Sequence, residues 1–213
     1  MTRLTGQQIA DEGLAGWTYL LGGLQTRVRT PDFAAGLALV VAIGAAAEEV
    51  DHHPDLDLRY GHVAIRLRSH DVGAVTERDI RLARTISGLA ADAGLGTAAA
   101  GLTRIELALD TPALAPLLPF WSAVLETGEP GADEVVDPYG ALPAVWFQPS
   151  GEEPDRQRWH PDVWLDPAEV QGRIDAAVAA GGRLVTDESA PSFWVLADPD
   201  GNQVCLCTWQ GRG

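Results

Sequence analysis

Apolar positions along this chain change period several times, and each change marks an element. Thr5 to Ala15 suits a short helix with Thr5 as its N-cap. Trp17 to Leu21 and Leu24 to Arg29 suit a strand pair about Gly22-Gly23, a favoured hairpin turn. Thr30 offers an N-cap and Pro31 a first helical position for an apolar helix lasting to about Val50, which Pro54 prevents from continuing. Leu56, Leu58 and Tyr60, then Val63, Ile65 and Leu67, alternate with polar residues, the period of two half-buried strands. Thr76-Glu77-Arg78-Asp79 reads as a capping box for a third helix with a core-facing stripe of Ile80, Ala83, Ile86 and Leu89. Two hairpins and three helices predict an α+β unit: a four-stranded antiparallel sheet with three helices on one face.

The run from Gly94 to Gly101, GLGTAAAG, has small residues and no clear period. It predicts a first domain at 1–96, a linker at 97–101 and a second domain at 102–213. The second half carries a weak internal repeat: Leu107 to Asp110 and Val163 to Asp166 are strand ends that enter helices through Pro112 and Pro167. The first helix has the stripe Leu114, Leu118, Trp121 and Leu125, kinked or delayed by Pro116 and Pro119. The second starts at Asp166, aligns Val170, Ile174 and Val178, and stops at Gly181-Gly182. Strand-like runs follow each helix: Glu134 to Val136 and Ala144 to Gln148, then Arg183 to Thr186, Phe193 to Ala197 and Gln203 to Trp209. The pattern predicts paired βαβββ modules.

Length and charge narrow the functional classes. A chain of 213 residues is long enough for two modest domains. Its 30 acidic and 15 basic residues give a net charge of -15, which repels phosphate backbones and anionic membranes, so neither nucleic acid nor membrane is an expected partner. The longest apolar run, Phe33 to Ala47, contains Gly36 and Gly44 and falls short of the ~20 residues of a membrane span. The N-terminus lacks the apolar core of a signal peptide. Cys205 and Cys207, two apart on one strand, read as reduced thiols of a cytoplasmic protein.

Chemistry concentrates between Glu48 and Asp79, which hold His52, His53, His62 and His70, four of the five histidines. Histidine titrates near neutrality, so a cluster of it points to proton transfer. With Gly61-His62 as a two-residue turn, Tyr60 pairs with Val63 and His53 falls opposite His70, within roughly 4.5 to 5.5 Å. His52 is adjacent, whereas His62 sits at the far end and is left out. Adjacent histidines on an extended chain point to opposite faces and no cysteine is near, which argues against a metal here.

The spacing Glu48, His52-His53-Pro54, Tyr60, His70, Asp79 resembles the signature of the pterin-4a-carbinolamine dehydratases, over roughly residues 1–96. Trp17 and the helix opening Asp32-Phe33 agree with it. The resemblance implies loss of water from a 4a-hydroxytetrahydropterin, with His52, His53 and His70 catalytic: His52 and His70 exchange protons while His53 mainly holds the pterin. Glu48, Pro54, Ser69, Asp71, Val72 and Asp79 are implied substrate contacts, and no metal or organic cofactor is required. Open sheet edges and the related proteins that serve as dimerisation partners imply a homo-oligomer, taken as a dimer. A competing reading makes this module a non-catalytic ligand-binding or oligomerising unit.

The second half, over about residues 102–210, resembles a glyoxalase-like domain of the vicinal oxygen chelate superfamily. His160-Pro-Asp162 in one opening strand and Asp198-Pro-Asp-Gly-Asn-Gln203 before the last strand carry the likeness. It implies a divalent metal held by inward-facing side chains of the opening and closing strands, for which His160, Gln203 and Glu106 are the nearest matches. Asp162 corresponds to Glu106 in the repeat, and the first module supplies no histidine. Trp146 and Trp164 are candidates to line a ligand cavity.

Overall fold

The computed structural model describes residues 2–212 apart from 116, 119–120, 123–126, 128–130, 141, 150–158, 198–200 and 202. The chain divides into two compact units, Met1–Leu102 together with Trp209–Gly213, and Thr103–Thr208. Among the described residues, no helix is long and apolar enough to cross a membrane.

The first unit opens on α1 (Gly6–Asp11), fixed by a reciprocal capping box between Thr5 and Gln8. Strands β1 (Thr18–Leu20) and β2 (Gly23–Arg29) follow, then α2 (Phe33–Glu49), β3 (Asp55–Arg59), β4 (His62–Leu67) and α3 (Glu77–Asp92). The four expected strands pair in the order β1-β2-β4-β3, all antiparallel. The Gly94–Gly101 run adds β5 (Thr97–Ala98), which pairs with β2 beyond the end of β1. Leu24 and Val28 of β2, Val63, Ile65 and Leu67 of β4, and Leu39 and Ile43 of α2 form one core with Ile80, Ala83 and Ile86 of α3. Leu89 packs on its margin, and Trp17 is buried with its indole N–H donating to Ser87 Oγ at 2.9 Å.

Three local expectations shift. Both hairpin turns fall one residue earlier than expected: Leu21-Gly22, with φ of 46° and 71°, and Tyr60-Gly61. In the second hairpin Leu58 therefore faces Val63 and Arg59 faces His62. His53 is not set opposite His70. A register change of two keeps Leu56 and Leu58 on the same face, so apolar alternation does not separate the two pairings. The neighbouring strand does, because β2 pairs Arg29 with His62 and so draws His62 into β4. Finally, α2 is capped by Asp32, whose carboxylate accepts from Ala35 N–H at 2.8 Å, rather than by Thr30.

The second unit contains β6 (Arg104–Thr111), β7 (Glu134–Val135), β8 (Val145–Pro149), β9 (Trp159–Trp164), a 3-10 turn at Pro167–Glu169, α4 (Val170–Ala179), β10 (Arg183–Thr186), β11 (Phe193–Ala197) and β12 (Gln203–Cys207). Its seven strands run β10-β11-β12-β9-β6-β8-β7. The opening strands β6 and β9 pair antiparallel at the centre, and each lies parallel to the closing strand of its own module, β8 and β12. One face carries two apolar clusters. Leu109, Val135, Val145 and Phe147 pack with Leu114, Leu117, Leu118 and Trp121; Leu165, Leu196 and Leu206 pack under Val170 and Ile174 of α4. Val178 is largely exposed, and Ala177 packs in its place. Asp166 accepts from Ala168 N–H at 2.9 Å, as its cap position requires. Pro116, Pro119 and Leu125 of the first stripe, and Asp198 to Asp200 and Asn202 of the last loop, lie outside the described residues.

Candidate functional site

The end of α2 places the paired histidines. Asp51 adopts a left-handed φ of 47°, a conformation that Asp tolerates better than most residues, and the chain reverses so that His52 N–H donates to Ala47 carbonyl oxygen at 3.1 Å. Pro54 then keeps the segment extended into β3. His52 is thereby turned inward and nearly buried, while the side chain of the next residue, His53, is about half exposed.

His52 Nε2 lies 2.8 Å from Asp79 Oδ1. Asp79 is fully buried, yet both of its carboxylate oxygens are hydrogen-bonded. Its second oxygen accepts from Ser69 Oγ at 2.7 Å, Thr76 N–H at 2.8 Å and Thr76 Oγ1 at 3.3 Å. A buried carboxylate is tolerable only when so satisfied. The same residue closes the capping box of α3, so the structural and the chemical roles of Asp79 are carried by one side chain. A carboxylate acceptor on Nε2 fixes the imidazole with Nε2 protonated and Nδ1 bearing the lone pair when the ring is neutral.

Around this centre, His53 Nε2 donates to Glu48 Oε1 at 3.1 Å, both exposed. His70 lies in the exposed turn that the Ser69–Ala74 bridge closes. Among the described residues no hydrogen bond joins its ring to His52 or His53. Ser69 faces the interior and reaches the site through Asp79 and through Thr76 Oγ1, 2.8 Å away. Asp71 accepts from the Arg78 guanidinium, which holds its carboxyl below the usual carboxylate range. That contact ties the turn to α3. Thr76 is a site residue that the sequence pattern presents only as a helix cap; its bond to Ser69 depends on how β4 and α3 meet.

In the second unit, the face of the sheet opposite the helices is polar at its centre. Glu106 and Asp162 are direct partners across β6 and β9. Each accepts from an indole: Trp164 Nε1 donates to Glu106 at 2.7 Å and Trp146 Nε1 to Asp162 at 3.0 Å. His160 and Asp162 share that face of β9, and Cys205 of β12 pairs with Asp162. Ligand atoms of His160, Asp162 and Cys205 all lie within 4.8 Å of one another. Imidazole, carboxylate and thiol are donors that suit a divalent metal. Glu106 is not part of that group, and Gln203 stands exposed at the start of β12, paired with Ala197.

Comparison with known proteins agrees with this division. The family model for pterin 4 alpha carbinolamine dehydratase matches residues 2–89, and the model for a glyoxalase-like domain matches residues 106–207. Over 91 residues the chain is 40% identical to the "Putative pterin-4-alpha-carbinolamine dehydratase" of Mycobacterium tuberculosis (strain ATCC 25618 / H37Rv), covering 42% of this chain and 97% of that protein. Among solved structures, the crystal structure of a transcriptional coactivator/pterin dehydratase from Brucella melitensis matches at a TM-score of 0.40 and 27% identity, covering 41% of this chain and 98% of that one. A glyoxalase/bleomycin resistance protein/dioxygenase superfamily member from Vibrio splendidus 12B01 matches at a TM-score of 0.34 and 16% identity, covering 50% of this chain and 99% of that one.

Proposed function

Because this chain belongs, through residues 2–89, to the pterin-4a-carbinolamine dehydratase family, we propose that its N-terminal unit removes water from a 4a-hydroxytetrahydropterin to give the quinonoid dihydropterin. The reaction breaks a ring N–H bond and the carbon–hydroxyl bond, forms a C=N bond and releases water. One proton is taken and one is given, and no electron acceptor is consumed.

The observation that supports this reading best is the buried Asp79 carboxylate against His52 Nε2. It leaves Nδ1 as the basic atom, suited to take the ring proton, and it stabilises the imidazolium that results. Among the described residues Nδ1 makes no hydrogen bond, and it is not one of the buried unpartnered atoms, which fits access to solvent. His70, exposed beside Ser69, protonates the departing hydroxyl. His53, steadied by Glu48, holds the pterin together with Pro54, Asp71 and Val72, while Ser69 acts through Asp79. This reading requires no metal or organic cofactor.

The unit self-associates in this proposal, as a dimer, because α2 leaves Phe33, Leu37 and Val41 exposed at successive i, i+4 positions. The two cysteines, neither in a disulfide, fit a cytoplasmic location.

Dehydratase turnover by the full chain tests the assignment. His52→Ala and His70→Ala are each expected to lower kcat by about 10²- to 10⁴-fold, the usual worth of a positioned acid or base. His53→Ala is expected to act mainly on KM. Turnover unchanged in both His52→Ala and His70→Ala would refute the proposal.

A further inference from the structure

The turn that carries His70 is held from both flanks by arginines, and the dehydration as proposed uses neither. Ser69 and Ala74 close the turn as a bridge, and the Ser69 carbonyl accepts from the N–H groups of Val72, Gly73 and Ala74 at 3.2, 2.8 and 3.4 Å. Gly73 has a left-handed φ of 64°, which glycine adopts without strain. Among the described residues its own carbonyl accepts from no backbone N–H. Arg68, which follows β4 directly, supplies the donor: its Nη2 donates to the Gly73 carbonyl oxygen at 2.6 Å. From the other flank, Arg78 holds Asp71.

The reach of Arg68 has a cost. Its Nε is buried without a hydrogen-bond partner, as is Nε of Arg78. An N–H withdrawn from water with no acceptor destabilises the fold, and an arginine beside an exposed turn avoids that by extending into solvent. Arg68 instead keeps its stem against the protein and its terminal nitrogen on one carbonyl. The consequence falls on His70. On one side of it, Ser69 is fixed by Asp79, the same carboxylate that holds His52. On the other, Asp71 is fixed by Arg78. The freedom that remains lies in the returning limb from Val72 to Ala74, and the Arg68 contact restrains that limb. His52 and His70 are then referred to one rigid frame, as two groups that exchange protons with a single substrate require.

We propose that Arg68 is a positioning residue of the dehydration: by holding the Gly73 carbonyl it fixes the His70 turn, and with it the point at which the departing hydroxyl receives its proton. This role rests on His70 being the acid. It needs a donor at the Gly73 carbonyl and no contact between Arg68 and the pterin.

The test compares Arg68→Met, which keeps an apolar stem and removes the donor, with Arg68→Lys, which restores one. In the full chain Arg68→Met is expected to lower kcat by about 10- to 100-fold with KM changed less than about twofold, the loss that misplacing a reacting group by about an ångström brings. Arg68→Lys should recover most of it. In a His70→Ala background Arg68→Met should alter kcat by less than about twofold, because the group it places is gone. Hydrogen exchange reads the turn without turnover. The Gly73 N–H, bonded to the Ser69 carbonyl, should lose protection by about 10-fold or more in Arg68→Met and regain it in Arg68→Lys, while amides of the central strand β4 keep theirs. Parent-like Gly73 protection or full kcat in Arg68→Met, or a kcat loss of the same size with and without His70, would each overturn the role of Arg68. A loosened Gly73 with turnover intact in His70→Ala would instead overturn the assignment of His70 as the acid, on which that role depends.

Discussion

At the scale of single residues, Asp79 joins folding to chemistry. Asp79→Asn keeps the shape but replaces an all-acceptor group with one that has two donors, facing three hydroxyl or N–H donors and an imidazole. The expected result is a loss of about 1–3 kcal/mol of stability in urea unfolding, from a mismatched buried group. If Asp79 positions His52, kcat should fall by about 10²-fold or more while KM changes little; a purely structural role would leave kcat of the folded fraction intact. Asp71 gives a pH prediction. Its carboxyl is held low by Arg78, so the contact stabilises the folded state above the unfolded-state value of the carboxyl and is lost as pH falls through the lower, folded-state value. Asp71→Asn should therefore be less stable than the parent at pH 6, with the difference closing as the solution is taken below the ordinary Asp range. An equal deficit at both pH values would show that the charge plays no part. Much of this site was legible in the sequence because the spacing from Glu48 to Asp79 is local. The Ser69–Thr76–Asp79 network was not, because hydroxyls inside a cap motif look the same whether or not a histidine lies above them.

At the scale of elements, α2 is apolar on nearly all sides. Leu39, Ile43 and Ala47 face the core, yet Phe33, Leu37 and Val41 stay half-exposed or more. A helix apolar all round is normally covered on both faces. Leu37→Glu is accordingly expected to shift the chain to a smaller species in size-exclusion chromatography with light scattering, without loss of helix content. A parent chain that already runs as a monomer would remove the basis of that expectation. Most of the elements followed from periodicity and capping residues, down to the Asp166 cap and the Thr76 box, while α2 takes Asp32 as its cap and β5 forms within the expected linker. Register did not. A two-residue slip in the β3-β4 hairpin keeps Leu56 and Leu58 on the same face and moves Tyr60 into the turn, and the pairing of Arg29 with His62 decides between the alternatives. The cluster in the second unit was hidden for a related reason: Cys205 meets Asp162 through a parallel ladder between strands some forty residues apart, a contact that no local pattern encodes.

At the scale of the molecule, the chain leaves the first unit at Leu102 and returns to it at Trp209. The return is specific. A Cβ built on Gly6, the first residue of α1, would stand 2.6 Å from Trp209 Cε3, so glycine is what lets the indole lie against the helix start. The terminal residues that follow the last strand of the glyoxalase-like repeat are thus part of the dehydratase-like unit. Trp209→Ala should cost the first unit about 1–2 kcal/mol, less than the 3–5 kcal/mol of a fully buried aromatic because Trp209 is partly exposed. Gly6→Ala should cost a similar amount by forcing the ring away. Hydrogen exchange separates this from a general loosening: amides of α1 such as Ile9 should lose protection in both variants, while those of β11 and β12 keep theirs. Protection lost equally in both units, or in neither, would show that the Trp209 contact does not anchor the first unit.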